Sequence, residues 1–254
     1  MSNNSKFFIT LDQISKSYSP RIVLNDINLE FKSSCIYGLI GANGSGKTTL
    51  LEILVGLKSY EKGSILFHID QNHIAIPKNQ IGFAGQVPVL WTQLTCKEHA
   101  QLLGRFYNLS KEKSMSEMEI LFAKFHLTAY QNERIENLSG GLKQRLNLAL
   151  SLLHKPRILI WDEPTTGLDI DSKLLLRDLL VEYSQESLGI IILSSHDLFE
   201  LENLCNHLIF LNQGKILAQG SFVELQKKMK DQSNLNKQNI HLEDIYKSLI
   251  TTTV

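Results

Sequence analysis

The pattern of apolar and polar residues predicts strands in the first part of the chain. Residues 7–11 are largely apolar, and in residues 23–31 apolar positions alternate with polar ones. A period of two is typical of a strand in a sheet with one exposed face. Residues 35–40 form a nearly continuous apolar run, as expected of a parallel strand buried on both faces. A glycine-rich turn follows, and residues 48–56 are predicted to be helical.

Two later apolar runs, at residues 158–161 and 190–193, predict two more buried strands, with a helix at 172–183 between them. Residues 87–155 separate the first of the buried strands from the second. Apolar residues recur there at helical spacing, which predicts helices at 96–106, 114–125 and 142–154. The arrangement indicates a parallel α/β core that carries an inserted helical subdomain at 87–155.

The end of the chain changes character. We predict one domain over residues 1–222, followed by a polar linker and short tail at 223–254. Within that tail, residues 227–239 are mostly polar and are expected to be a linker, and residues 241–250 form a short amphipathic segment.

The turn after the first buried strand carries the first candidate chemistry. Residues 41–48 read GANGSGKT, which fits the phosphate-loop pattern GxxxxGK[ST] in its required place between a strand and a helix. Glycines let successive N–H groups face one anion, and the helix N-terminus favours negative charge. Lys47 would neutralise the outer phosphates, and the Thr48 hydroxyl could ligate Mg²⁺. We predict that the nucleotide contacts Gly41, Asn43, Gly44, Ser45, Gly46, Lys47, Thr48 and Thr49.

A pair of acidic residues ends the second buried strand. Asp162 and Glu163 follow the apolar run at 158–161, at the edge where open α/β sheets bind ligands. Asp162 could hold Mg²⁺, and Glu163 could polarise the water that attacks the γ-phosphate. We therefore predict that a nucleoside triphosphate and Mg²⁺ bind this chain. These two motifs alone would also suit a GTPase, a helicase or a nucleotide kinase, and the resemblance described below implies ATP.

Composition limits the class of partner. The chain has 26 basic and 26 acidic residues, so no net charge draws it to nucleic acid, and none is expected as a partner. The N-terminal residues are too polar for a signal peptide, and no apolar run approaches the length of a membrane span. The three separated cysteines indicate free thiols in a reducing compartment. We expect a cytoplasmic protein.

A second glycine pair lies shortly before the acidic strand and long after the phosphate loop. Ser139 could cap the helix that begins near Leu142, and Gly140 and Gly141 would let its backbone approach an anion. Leu138 completes the sequence LSGG, which resembles the signature of the ATP-binding-cassette (ABC) ATPases. The resemblance covers residues 9–222. It implies a P-loop NTPase (RecA-like) α/β core with an N-terminal antiparallel β subdomain and an inserted α-helical subdomain.

The resemblance assigns further roles. In the family, the signature of one subunit acts on ATP held by another, so a second ABC ATPase subunit is expected, with a homodimer favoured. Tyr18 resembles the aromatic residue that stacks on adenine, and Gln86 the loop glutamine near Mg²⁺. His196 resembles the γ-phosphate switch, and Asp169 lies in a segment, TGLD, similar to the D-loop. The resemblance thus implies a catalytic set of Glu163, His196 and Gln86.

Two residues depart from the family pattern. Leu142 stands where the signature commonly has glutamine, and Trp161 stands where the acidic strand usually has a smaller apolar residue. We expect the first to affect affinity across the dimer and the second to concern packing. Neither substitution removes a group that the chemistry requires.

The chain shows only one cassette and no membrane span, so a separate multi-spanning permease is the expected partner. The apolar residues after Gln86, including Trp91, could dock that permease from the inner face of the membrane, although core packing explains them equally well. The C-terminal segment resembles that of export motors for drugs, peptides or lipids. A soluble ABC ATPase, such as the iron-sulfur-cluster assembly type, stays an alternative. A kinase for a small substrate is disfavoured, because the second phosphate-binding helix end would then have no purpose.

Overall fold

The computed structural model describes residues 7–69, 72–74, 78–187, 189–233 and 240–251. The chain divides into two compact units, Met1–Ile76 with Ile190–Val254, and Pro77–Gly189. In chain order the elements are β1 (Phe7–Tyr18), β2 (Arg21–Lys32), β3 (Cys35–Ile40), α1 (Lys47–Leu54), β4 (Lys62–Ile69), β5 (Asn72–Ile74), β6 (Ile81–Ala84), α2 (Cys96–Phe106), α3 (Lys111–Lys124), α4 (Gly140–Ser151), β7 (Ile158–Asp162), α5 (Ile170–Ser187), β8 (Ile190–Ser195), α6 (Leu198–Leu204), β9 (His207–Asn212), β10 (Lys215–Gly220), α7 (Phe222–Ser233) and α8 (Leu242–Thr251).

The first unit opens with an antiparallel sheet of four strands in the order β2-β1-β4-β5. Successive residues of β1 and β2 alternate between a buried face, which carries most of the apolar side chains, and a more exposed face. This alternation is the period-two pattern seen in the sequence. The two strands predicted from that pattern are confirmed, and both extend further than predicted. The strands β4 and β5 were not predicted.

The same unit contains parallel strands that carry the phosphate loop. Strand β3 pairs in parallel with β8 on one side and with β9 on the other, and β10 pairs antiparallel with β9. All six residues of β8 are buried, which explains why its sequence is a continuous apolar run. The predicted buried strands at 35–40 and 190–193 are confirmed, and the predicted helix after the phosphate loop is α1.

The second unit pairs β6 in parallel with β7 and contains helices α2 to α5. A capping box begins α2, where the Thr95 hydroxyl accepts from the Glu98 backbone N–H and the Glu98 carboxylate accepts from the Thr95 N–H. The four predicted helices of this region are confirmed. Among the described residues, no helix is both long and apolar enough to span a bilayer.

The C-terminal region differs from the prediction. Residues 227–233 were expected in a polar linker but lie in α7, so that part was wrong, and residues 234–239 lie outside the described residues. A capping box at Ser221 and Glu224 begins α7, and Leu225 anchors it by burial. Local caps and one apolar contact thus outweigh a polar composition. The amphipathic segment at 241–250 forms α8.

Candidate functional site

The phosphate loop joins β3 to α1 in the first unit, and its glycines fit tightly. Gly46 precedes α1 with φ +111°, a left-handed conformation that a side chain would strain. A Cβ there would lie 2.8 Å from the Val23 carbonyl oxygen. A Cβ on Gly41 would lie 2.3 Å from the Leu211 carbonyl oxygen. The neighbouring backbone therefore requires glycine at both positions.

Polar groups line this loop. The Lys47 ammonium is buried and donates to the Gly41 carbonyl oxygen over 2.8 Å, so the side chain folds back along the loop. The Ser45 hydroxyl is buried and makes no hydrogen bond with any described residue. A buried polar group usually has a partner, and a phosphate oxygen would supply one. Thr48 and Thr49 lie in the first turn of α1, with Asn43 and Gly44 exposed in the loop.

His196 lies at the same edge of the sheet as the phosphate loop. It directly follows β8, whose last residue, Ser195, pairs with Ile40 at the end of β3. Gly41 directly follows Ile40, so two adjacent parallel strands deliver His196 and the phosphate loop to neighbouring positions. His196 is exposed, so a ligand bound at the phosphate loop could reach it.

Tyr18 ends β1 in the first unit with its ring partly exposed. The ammonium groups of Lys16 and Lys58 lie 5.2 and 5.6 Å from the ring centroid, within the range of cation–π attraction. Each lysine also pairs with a glutamate, Glu61 and Glu52 respectively. Two lysine–glutamate pairs thus flank the tyrosine ring, and its exposed part could stack on a base.

In the second unit, Gln86 and Asp162 lie at one strand edge. Ala84 at the end of β6 pairs with Trp161 of β7, so the residues that follow each are neighbours. Gln86 is exposed, two residues beyond β6, whereas Asp162 ends β7 and is buried. The parallel pairing therefore brings together two side chains that the sequence places far apart.

Glu163 has an unusual backbone. Its φ is +49°, in the left-handed region that non-glycine residues seldom adopt. The Thr166 N–H donates to its carbonyl oxygen over 3.2 Å, and the side chain is 95% buried at a relative exposure of 5%. A strained, hydrogen-bonded turn thus fixes the backbone of the residue that we assigned to water activation.

The signature segment is a capped and exposed helix end. Ser139 is the N-cap of α4, and its hydroxyl accepts from the Leu142 N–H over 3.3 Å. Both Ser139 and Gly140 are exposed. A Cβ on Gly141 would lie 3.6 Å from the Gly167 carbonyl oxygen, so the TGLD segment lies against the signature. The helix N-terminus at Ser139 and Gly140 is therefore open to solvent, where an anion could bind.

Asp169 serves as a helix cap. Its carboxylate accepts from the Ser172 N–H over 2.8 Å at the start of α5. Hydrogen bonds from Ser172 hold the pKa of Asp169 below its usual value. The geometry assigns Asp169 a structural role at the D-loop, beside the nucleotide role that the family resemblance implies.

The two departures from the family pattern have local explanations. The cap of α4 uses the backbone N–H of Leu142 and not its side chain, so leucine preserves the helix end. Trp161 is fully buried in β7, and its indole N–H donates to the Ser151 hydroxyl over 2.8 Å. The expectation that Trp161 concerns packing agrees with this position.

Sequence reasoning missed a row of polar side chains along α4, which we name the polar row: Gln144, Asn147, Ser151 and, just beyond the helix, His154. Its members bond to β6, β7 or the loops that follow these strands. These residues are three, four and three positions apart, which places them on one face of the helix. Polar residues at this spacing could therefore have been noticed in the sequence.

An exposed apolar surface lies near Gln86. Val87, Val89, Trp91 and Phe106, which we name the apolar patch, are 75%, 85%, 48% and 65% exposed. Trp91 stacks on the buried His99 ring, at 5.6 Å between centroids, and meets Phe106 edge-on. Core packing therefore does not account for these four residues.

The donor set fits Mg²⁺ better than a softer metal. Gln86 and Asp162, at one strand edge of the second unit, carry side-chain oxygen atoms, and so does Thr48 of the first unit. Mg²⁺ prefers oxygen ligands and is commonly held by one or two protein ligands with substrate phosphates. Within the described ranges there is no group of three or more His, Cys, Asp or Glu that could hold a metal ion.

Comparison with known proteins gives consistent matches. The family model described as ABC transporter matches residues 24–166. The chain is 34% identical to the Nod factor export ATP-binding protein I of Rhizobium johnstonii, over 84% of this chain and 68% of that protein. It is 32% identical to the lantibiotic transport ATP-binding protein SrtF of Streptococcus pyogenes, over 84% of this chain and 91% of that protein. A solved structure, described as the ATP binding subunit of an ABC transporter, has a TM-score of 0.85 and 26% identity, and covers 96% of this chain and 99% of that one.

Proposed function

The chain belongs to the ABC transporter ATP-binding family, and from that premise we propose that it is the motor that drives a separate membrane permease. As a member of the family it binds and hydrolyses ATP. We propose that residues 1–222 form the nucleotide-binding domain, with the helical subdomain inserted at 87–155. The remaining tail, residues 223–254, would lie outside that domain.

The phosphate loop is proposed to hold the phosphates of ATP. Lys47 would exchange its bond to the Gly41 carbonyl for the outer phosphates, and the Ser45 hydroxyl would gain the partner that it lacks among the described residues. Tyr18 would stack on adenine. Bound Mg²⁺, held by Thr48, Asp162 and Gln86, would neutralise charge on the transferred phosphoryl group.

Hydrolysis is proposed to depend on Glu163. Its carboxylate would accept a hydrogen bond from the attacking water and orient that water in line with the γ-phosphate. The left-handed backbone at Glu163 supports the proposal, because strained conformations of this kind are concentrated at active sites. His196, exposed beside the phosphate loop, would contact the γ-phosphate and report whether it is present.

The observation that carries the proposal is the exposed end of α4. The signature presents a second anion-binding helix N-terminus, with Ser139 and Gly140 open to solvent. One chain that contains both a phosphate loop and this helix end can bind a second copy head to tail, each signature completing the nucleotide site of the other. We therefore propose an ATP-dependent homodimer.

A membrane partner is proposed for the apolar patch. Four large apolar side chains lie exposed in one part of the second unit, and patches of this kind commonly bind other proteins. A permease helix that docks there would lie beside Gln86, so movement at one site would reach the other. The chain would then act on the cytoplasmic face of the membrane.

Export is the proposed direction of transport. The relative from Rhizobium johnstonii is named for Nod factor export and that from Streptococcus pyogenes for lantibiotic transport. Both names favour a transporter over the iron-sulfur-cluster assembly alternative. A drug, peptide or lipid is the proposed class of cargo.

Dimerisation is tested with the hydrolysis-deficient variant Glu163→Gln of the full chain. In size-exclusion chromatography this variant should elute as a dimer with ATP and Mg²⁺ and as a monomer without nucleotide. The matched control adds Ser139→Glu, which places a carboxylate where the partner's phosphate would bind and should abolish the dimer. The same oligomeric state under all three conditions would contradict the proposed ATP-dependent dimer.

The partner is tested by recovery of the tagged chain from gently solubilised cells. We expect a multi-spanning membrane protein to accompany the wild type and to be recovered at least about 5-fold less with Trp91→Ala. Leu57→Ala, which removes an exposed apolar side chain of the first unit, is the control and should not change recovery. Only soluble partners would overturn the transport proposal.

A further inference from the structure

We propose that Gln144 and Asn147 are positioning residues for ATP hydrolysis, which fix the loops that carry Glu163 and Gln86 to the signature helix. The inference rests on the roles proposed above for Glu163 and Gln86. The two amides lie three residues apart on one face of α4, and each donates to the backbone of a different loop.

Gln144 holds the turn at Glu163. Its side-chain amide donates to the Pro164 carbonyl oxygen over 3.2 Å, and the side chain is buried. Glu163, one residue earlier, has the left-handed conformation, which persists only when surrounding contacts enforce it. The Gln144 bond is one of those contacts, so its loss would let the turn relax and the carboxylate move.

Asn147 holds the loop at Gln86 in the same way. Its amide donates to the carbonyl oxygen of Gly85 over 3.3 Å, one residue before Gln86. The glutamine itself is exposed, so the backbone bond to α4 restrains a side chain that otherwise extends into solvent. Loss of this bond would widen the range of positions that Gln86 samples.

The rest of the polar row bonds α4 to the strands and not to the two loops. The Ser151 hydroxyl accepts from Trp161 in β7, and His154 bonds to the Ile81 carbonyl at the start of β6. A Cβ on Gly82 would lie 2.2 Å from the Ser151 carbonyl oxygen, so the helix contacts β6 closely. The C-terminal end of α4 is therefore held to the two strands. The amides of Gln144 and Asn147 bond to the loops from the N-terminal half of the helix and its middle, nearer the signature.

The position of α4 gives these bonds a consequence. The helix begins at the signature, which is proposed to bind the nucleotide of the partner, and within two turns it reaches both hydrolytic loops. A small displacement of a positioned carboxylate can cost up to about 100-fold in rate. The amides therefore connect occupancy of the signature to the alignment of Glu163 and Gln86.

The test measures steady-state hydrolysis and nucleotide affinity of the full chain for Gln144→Met and Asn147→Leu. Both substitutions keep side-chain size and remove the donor. We expect kcat to fall about 10-fold in each, while the Kd for ATP, measured without hydrolysis, stays within about 2-fold. Rates are counted per mole of bound nucleotide, so that unfolded protein does not enter them.

Ser151→Ala is the matched control. It removes the hydrogen bond from Trp161, which lies on the same face of α4 but joins the helix to strand β7 and not to a loop. It should lower Tm by roughly 2–4 °C and leave kcat unchanged. Asn147→Ser, a milder variant that retains a donor, should recover part of the rate lost in Asn147→Leu. It also tests the role of Asn147 should Asn147→Leu fail to fold, and Gln144→Glu, which keeps the side-chain length but removes the donor, does the same for Gln144 should Gln144→Met fail to fold.

Two results separate this inference from the function on which it rests. Unchanged kcat in Gln144→Met, Asn147→Leu and Asn147→Ser, with hydrolysis abolished in Glu163→Gln, would overturn the positioning role alone. Near-normal hydrolysis in Glu163→Gln would overturn the proposed mechanism itself. An equal loss of kcat in Ser151→Ala would also overturn the inference, because general loosening of α4 would then explain it.

Discussion

The phosphate loop and the signature helix both present a helix N-terminus, but they are built differently. In the loop, close approach of neighbouring backbone requires Gly41 and Gly46, and the conformation itself forms the cradle. In α4, a serine cap forms the helix end, and side-chain amides tie the helix to the loops that follow β6 and β7. The phosphate loop therefore depends on glycines, which have no side chain, whereas the signature helix depends on hydrogen bonds that its side chains make.

The difference predicts different failures. A side chain added to the phosphate loop meets backbone that cannot move aside, so binding and stability should be lost together. An amide removed from α4 leaves the backbone intact, so alignment should suffer before nucleotide binding does. The following variants test this contrast.

The largest effect is expected for Gly46→Ala. The new Cβ would meet the Val23 carbonyl oxygen at 2.8 Å and would require φ near +111°. We expect a loss of about 3 kcal/mol in the free energy of unfolding and no measurable ATP binding. Chemical denaturation and nucleotide titration measure the two effects.

Gly56→Ala is the control for Gly46→Ala. Gly56 has φ +77°, but a Cβ there meets nothing within 4 Å. It should cost only about 1 kcal/mol, from the left-handed conformation, and ATP binding should persist. Equal losses in the two variants would mean that conformation alone, and not close approach, explains the phosphate loop.

A smaller effect is expected from His154, in the anchored part of the polar row. Burial lowers the pKa of His154 to about 4, and its bond to the Ile81 carbonyl offsets this only in part. In the unfolded chain, the imidazole of His154 takes up a proton as the pH falls below its ordinary pKa of about 6.5. The contribution of neutral His154 to the free energy of unfolding is therefore fully present above about pH 6.5 and is lost as the pH falls toward 4.

His154→Gln removes that titration. Between pH 7 and pH 4, the wild type should lose about 2 kcal/mol more of its free energy of unfolding than the variant does, after allowance for partial exposure of the ring. Denaturant unfolding at a series of pH values measures the difference. Parallel pH profiles would show that the histidine is not held neutral against β6.

The smallest effect on stability is expected for Ser139→Ala, which removes the cap of α4. Ser110→Ala removes the equivalent cap of α3, where the hydroxyl accepts from the Lys113 N–H over 3.2 Å. Each should cost about 1 kcal/mol. Only Ser139→Ala should also lower ATP hydrolysis, because its helix end is proposed to bind the partner's nucleotide, and equal activities would make Ser139 a structural cap only.

The same contrast explains what could be predicted from the sequence. The buried strands β3, β7 and β8 were readable because continuous apolar runs are uncommon, and the phosphate loop was readable because only glycine satisfies its geometry. Strand β6 was missed, since only four residues form it. The linker prediction was wrong in part, because the Ser221 capping box and burial of Leu225 support a polar helix.

The support of the site was less accessible. Gln144 and Asn147 are common residue types on an ordinary helix, and their partners are backbone carbonyls that no sequence motif marks. Only the pairing of β6 with β7 reveals that both loops lie within reach of one helix face. Chemistry carried by a sequence motif can therefore be predicted from the sequence. Positioning by common residues that bond to backbone carbonyls can be recognised only once the fold is known.

The most direct test of the central claim is the rate of ATP hydrolysis by Glu163→Gln, measured together with its affinity for ATP. The account predicts a rate at least about 100-fold below the wild type and an affinity within about 3-fold of it. Glu182→Gln, at an exposed carboxylate of α5 that pairs with Lys124, is the control and should hydrolyse ATP normally. Hydrolysis by Glu163→Gln within a few-fold of the wild type would contradict the account.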